Sequence, residues 1–176
     1  MAKKLKILYY SDCTFFAGCE NMIASFLNNE DLNNRYDVCF LYCLSEAYTA
    51  GLNGRVAVEG KSIMSIKLPR PNRVHDYFKQ KIANRKLRMI ISAPIMWIWK
   101  YYCVFFSIYP LYKKLKPLQI DVLHINNGGY PAAVSCYAMV FVASILRIKK
   151  VVYVVNNIAE GYKNPLRWLD WGLDQW

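Results

Sequence analysis

The sequence predicts an α/β domain in which a parallel sheet is covered on both faces by helices. Three features point to it. Short apolar runs alternate with helical patterns along the whole chain. Two of the clearest runs, Asp37–Leu44 and Val151–Val155, are continuously apolar, as in strands buried on both faces. Polar loops containing Gly or paired Asn follow three of the runs, where open parallel sheets bind their ligands. With 176 residues, 55% of them hydrophobic and 20% charged, the chain has enough apolar surface for one core, and it shows no linker or repeat.

Lys6–Tyr10 is the expected first strand, and Ser11–Gly18 its loop. Met22, Ile23, Phe26 and Leu27 then recur at helical spacing. Asn28–Asn34 reads as a polar break and Asp37–Leu44 as the second strand. Gly51–Gly60 reads as a loop and Ser62–Leu68 as a third strand, ended by Pro69 and Pro71. Asn72–Arg88 is a basic helical segment. Met89–Tyr112 is almost wholly apolar and aromatic, interrupted by Lys100 and Pro110. Asp121–Ile125 is the fourth strand, Ala132–Leu146 a helix, and Val151–Val155 a fully buried fifth strand. Pro165 suits the first turn of a last helix, Pro165–Trp176. Leu166, Leu169, Leu173 and Trp176 share a face of that helix. The chain stops there without a stop signal, so a piece of a longer polypeptide is expected.

The net charge of +11 is local. Between Lys67 and Lys116, twelve basic residues face only Asp76, and the rest of the chain is neutral with eleven of each sign. This basic tract surrounds the most apolar segment, a pattern suited to an anionic membrane surface. Nucleic acid is the other anionic partner, but no recognition motif accompanies the charge, which argues against it. The segment 87–112 admits three readings: a membrane span, a helix dipping into the interface, or a core helix covering the sheet. A central Lys100 and basic flanks on both sides weigh against a span. Arg85, Lys86, Arg88, Trp97, Trp99 and Lys100 are the candidate membrane contacts. The six cysteines form no CxxC pair and no His-spaced metal pattern, and read as small buried hydrophobes with reduced thiols, as in a cytosolic setting.

Three loops carry the candidate chemistry. In FFAGCE (Phe15–Glu20), Gly18 lets a backbone approach a ligand ahead of a helix N-terminus, which favours anions. The dinucleotide fingerprint G-x-G-x-x-G is absent, which argues against a dehydrogenase. In HINNGGYP, Asn126, Asn127, Gly128, Gly129 and Tyr130 offer uncharged donors and acceptors suited to a polyol. His124 within that strand has a structural or a functional role. In VVNNIAEGY, Asn156 and Asn157 fall at the strand end.

At these three loops, in KILYYSDCTFFAGCENMIASFL, DVLHINNGGYPAAVSC and KKVVYVVNN, the chain resembles family 4 glycosyltransferases. The resemblance covers most of 1–176 apart from its basic middle, 72–116. It implies the Rossmann-like N-terminal, acceptor-side domain of a two-domain GT-B enzyme, with the C-terminal donor-binding domain absent. The activity implied is retaining transfer of a sugar from a nucleotide-sugar donor to a glycan or lipid-linked acceptor. No metal is implied, and the fragment alone is expected to be inactive. The cleft residues implied are Phe16, Ala17, Gly18, Glu20, Asn126–Tyr130, Asn156 and Asn157. Ala17 stands where relatives commonly have a second glycine, and Asn126 and Asn156 stand where many have histidines. Asn156 is thus the candidate at the catalytic position. The expected location is cytoplasmic, peripheral on the inner face of the plasma membrane. The alternative is a non-catalytic Rossmann-like binding domain.

Overall fold

The computed structural model describes residues 4–57, 59–127, 133–156, 161–162, 168 and 170–175. Five parallel strands form one sheet: β1 (Lys6–Ser11), β2 (Asp37–Cys43), β3 (Ser62–Ile66), β4 (Val122–Asn127) and β5 (Lys150–Val155). Their order is β3-β2-β1-β4-β5, a Rossmann-like arrangement. The chain first winds outward from β1 through β2 to β3. It then returns to place β4 on the other side of β1, so the winding direction reverses between β1 and β4.

Alternation along the strands divides the core into two layers. Leu8, Tyr10, Cys39, Leu41, Cys43, Leu123 and Ile125 face the long helix α5 (Arg85–Leu115) and helix α6 (Val134–Ile145). Tyr9, Phe40 and Tyr42 face α1 (Glu20–Asn28) and α3 (Glu46–Asn53), meeting Ile23, Leu27, Tyr48 and Leu52. The apolar positions Ile23 and Leu27 are four apart, which puts them on one side of α1 and turns that side to the sheet. His124 belongs to this second layer, against the rings of Tyr9 (5.0 Å) and Phe26 (6.1 Å).

Four sequence expectations are corrected. Asn28–Asn34 is not a simple break. Helix α2 (Glu30–Arg35) begins there because the Asn29 side chain accepts from the Leu32 amide at 2.8 Å. Gly51 is not in a loop but in α3, capped by Ser45 accepting from the Tyr48 amide at 3.2 Å. The segment 72–116 divides into α4 (Asn72–Lys81) and α5, and α5 runs unbroken through Pro94 and Pro110. Val151, Val152 and Val155 are exposed rather than fully buried, because β5 lies at the edge of the sheet. In the last expected helix, Trp171–Asp174 forms a short helix α7, and much of the rest lies outside the described residues.

The two faces of α5 differ. Cys103, Val104, Ser107, Leu111 and Leu115 are buried against the sheet and α6, which supports the core-helix reading for this half. Leu87, Met89, Ile90, Ile95, Ile98, Phe105, Phe106 and Tyr109 remain exposed. The helix is long and apolar enough to cross a membrane by length and composition. Its C-terminal half, however, is committed to the protein core.

A side chain added at Gly51 would run into Phe16 well inside van der Waals distance, whereas at Gly18 it would meet open space. Gly51→Ala is expected to lower stability by about 1–3 kcal/mol through overpacking. Gly18→Ala should leave stability unchanged. Urea unfolding of the two variants checks both outcomes.

Candidate functional site

The winding reverses between β1 and β4, and the C-terminal ends of β1, β4 and β5 lie side by side there. Ser11 closes β1 and pairs in register with Asn126 of β4. From this pair a chain of polar side chains crosses the site.

Glu20 is the centre of that chain. It opens α1 and is completely buried. Its Oε1 accepts from Ser11 Oγ at 3.0 Å, from Asn126 Nδ2 at 3.3 Å and more weakly from Cys19 Sγ at 3.8 Å. Its Oε2 accepts from the Tyr48 hydroxyl. These partners are neutral donors. Burial first, and then the neighbouring Glu20 carboxylate, push the Cys13, Cys19 and Tyr48 groups up from their ordinary values, so all three keep their protons. A carboxylate in the first turn of a helix also meets the positive end of the helix dipole.

The amides extend the chain outward. Asn126 is fully buried, and its Oδ1 accepts from Asn156 Nδ2 at 2.8 Å. Asn156 itself is exposed just after β5. A buried carboxylate therefore orients one amide, and that amide orients a second one at the surface. Asp12 performs a parallel task at the other helix. The N-terminus of α6 has no cap from its own segment, and Asp12 Oδ2 accepts from the Ser135 amide at 3.1 Å.

The expected site residues separate into distinct groups. Glu20, Asn126 and Asn156 come together in one network. Gly18 is exposed and Ala17 half-buried in the turn before α1. Phe16, expected in the cleft, is instead packed into the core against Gly51 and 5.4 Å from the Tyr48 ring, with the Arg55 guanidinium 5.1 Å from its ring centroid. The Asn127 side chain, Gly128, Gly129, Tyr130 and Asn157 lie outside the described residues.

The expected membrane contacts also divide. Arg85, Lys86 and Trp97 are exposed, and Arg88 is half-buried with a guanidinium nitrogen donating to Ile82 O at 3.2 Å. Trp99 turns inward, where its indole nitrogen donates to Arg70 O at 3.2 Å and its ring stacks on Tyr102. Lys100 is withdrawn as well. It pairs with Asp170 at 2.7 Å, at 15% side-chain exposure, and sits over the Tyr137 ring. An ammonium on an apolar helix is stabilised by such a partner, and Asp170 supplies it from a segment far along the chain.

Ser11, Asp12 and Tyr48 were not expected at the site. Ser11 and Asp12 had a readable signal, being polar residues directly after a buried strand. Tyr48 had none, since only the folding of 46–53 into α3 aims its hydroxyl at Glu20.

Removing the carboxylate would take the acceptor from the buried Ser11 and Tyr48 hydroxyls and leave Asn126 Nδ2 only the long contact to Cys19 O at 3.5 Å. Glu20→Ala is expected to cost roughly 3 kcal/mol in denaturant unfolding, against less than about 1 kcal/mol for Asn156→Ala at the exposed end. Equal losses would remove Glu20 from its central position. His124 supplies a second outcome. Burial lowers its pKa from 6.5, so the unfolded chain takes up a proton before the folded chain does. Its neutral form costs nothing above pH 6.5, and stability is lost as pH falls below that value. In His124→Phe, the gap between unfolding midpoints at pH 8 and pH 5 should shrink. An unchanged gap would mean that other groups carry the acid dependence. No protein-family model, curated protein or solved structure matches the chain.

Proposed function

We propose that this chain is the acceptor-side Rossmann-like domain of a GT-B, family 4 retaining glycosyltransferase, acting at a membrane surface on a glycan or lipid-linked acceptor. The observation that carries the reading is the Glu20–Asn126–Asn156 relay at the β1/β4 switch point. It presents an oriented, uncharged amide at the place where open α/β sheets bind ligands, and an amide both donates to and accepts from sugar hydroxyls. Beside it, α1 begins without a side-chain cap next to the exposed Gly18, an arrangement favourable to a donor phosphate.

Transfer in a GT-B enzyme needs a second domain to hold the nucleotide, and the described residues fold around a single sheet. The chain by itself is therefore a binding half, with Asn156 positioning the acceptor rather than exchanging a proton with it. The membrane part rests on the exposed face of α5. Leu87, Ile90, Trp97 and Ile98 are exposed along the helix that opens with the exposed basic residues Arg85 and Lys86, and the basic α4 precedes them. An apolar face with a basic border lies in an interface with its side chains among the acyl chains and its cations at anionic headgroups.

Co-sedimentation with anionic vesicles tests both parts at once. The chain should pellet with phosphatidylglycerol vesicles, and Ile90→Glu with Ile98→Glu should release it at least tenfold. Vesicles that also carry a polyprenyl-phosphate-linked sugar should retain more protein. Asn156→Ala should abolish that increment alone. Sedimentation indifferent to the α5 substitutions would remove the membrane part. No increment, or one indifferent to Asn156, would remove the acceptor reading, as would sugar transfer catalysed by the isolated chain.

A further inference from the structure

The loop between β1 and α1 brings together three metal-binding groups that the sequence keeps apart. Cys13 and Cys19 are separated by five residues, and Glu20 follows. The two Sγ atoms and a Glu20 carboxylate oxygen all lie within 4.8 Å of one another. The other four cysteines are buried within or beneath the sheet. Cys13 and Cys19 are half-buried at its open end.

We propose that Cys13, Cys19 and Glu20 form a binding site for a thiophilic divalent cation of the zinc type. Two sulfur donors and one carboxylate oxygen select a borderline-soft ion over calcium or magnesium, which take oxygen ligands. The separation suits such a centre. Bonds of about 2.3 Å to sulfur place tetrahedral ligands about 3.8 Å apart, so side-chain rotations of the order of 1 Å close the set. The fourth position falls to water, because both thiols reach the surface.

The carboxylate is already held as a metal ligand needs to be. Ser11, Tyr48 and Asn126 fix its orientation through hydrogen bonds, the kind of support that sets the affinity of metal-binding carboxylates. The hydrogen that gives way is the weakest in the network, from Cys19 Sγ to Glu20 at 3.8 Å. On binding, two metal–sulfur bonds and one metal–oxygen bond form. The two thiol protons leave to solvent, and the cation takes the place they held beside the carboxylate. A divalent ion among two thiolates and one carboxylate leaves a single net negative charge.

The cation would join the two ends of the Cys13–Cys19 loop and so brace Gly18, which lies between them. The site shares Glu20 and Asn126 with the relay behind the proposed function, but Cys13 and Cys19 take no part in that reading, so a test on the two thiols separates the two.

Titrating the reduced chain with cobalt(II) as a spectroscopic stand-in for zinc tests the assignment. A saturable one-to-one thiolate-to-cobalt charge-transfer band in the near ultraviolet is expected, displaced by zinc. Cys13→Ser and Cys19→Ser should each lower affinity at least tenfold, and the double variant should lose the band. Circular dichroism checks that these variants remain folded. Zinc should raise the thermal midpoint of the unaltered chain but not of the double variant. Folded, unaltered chain that gives no band would overturn the proposal, as would a band that survives in the double variant.

Discussion

A buried carboxylate met by hydrogen-bond donors from three elements is the constraint on which the open end of this domain depends. Glu20 lies at the start of α1 where the dipole favours negative charge, but burial would make that charge costly without hydrogen bonds. Ser11 brings a donor from the end of β1, Tyr48 from α3 and Asn126 from β4. Three separate crossings of the chain are thus tied to one side chain. Their correct placement is a condition for burying it at all. The same requirement explains why Asn126 is fully buried, and why Asn156 has a defined partner although it is exposed.

The layers beneath this network are built on simpler physics. Strand alternation sends Leu8 and Tyr10 to α5 and α6, and Tyr9 to α1. Polar side chains then occur where the layers approach the strand ends. Tyr10 meets Cys43 at 3.2 Å and also bonds Ser135, while Arg70 donates to Cys43 O at 3.0 Å and receives the Trp99 indole on its own carbonyl. Through these contacts the basic middle of the chain is fastened to the end of β2. It is therefore less independent of the sheet than its composition suggests.

The fold was legible in the sequence because its signals are local. Apolar runs marked five strands, and helical spacing in Met22–Leu27 marked α1. Helices α2 and α3 were missed because each begins on a single capping side chain, Asn29 or Ser45, in a polar setting that equally suits a turn. The exposure of β5 depends on strand order, which no run of valines encodes. At the site, Gly18, Asn126 and Asn156 were readable from their position after strands. Phe16 was misplaced because its partner, Gly51, lies thirty-five residues away in sequence. Lys100 was misplaced for the same reason, its partner Asp170 being in a distant segment. The clustering of Cys13 with Cys19 follows from the path of one loop, and their spacing alone did not display it.

The length of α5 has a mechanical consequence. Its 31 residues extend about 46 Å at 1.5 Å per residue, while a six-residue strand spans only about 20 Å. A rod twice as long as the plate it rests on must overhang. The anchored end, from Trp99 to Leu115, acts as a fulcrum, and the stretch from Arg85 to Ile98 acts as the arm. Trp99 and Lys100, bonded to Arg70 and Asp170, mark the place where the arm leaves its support.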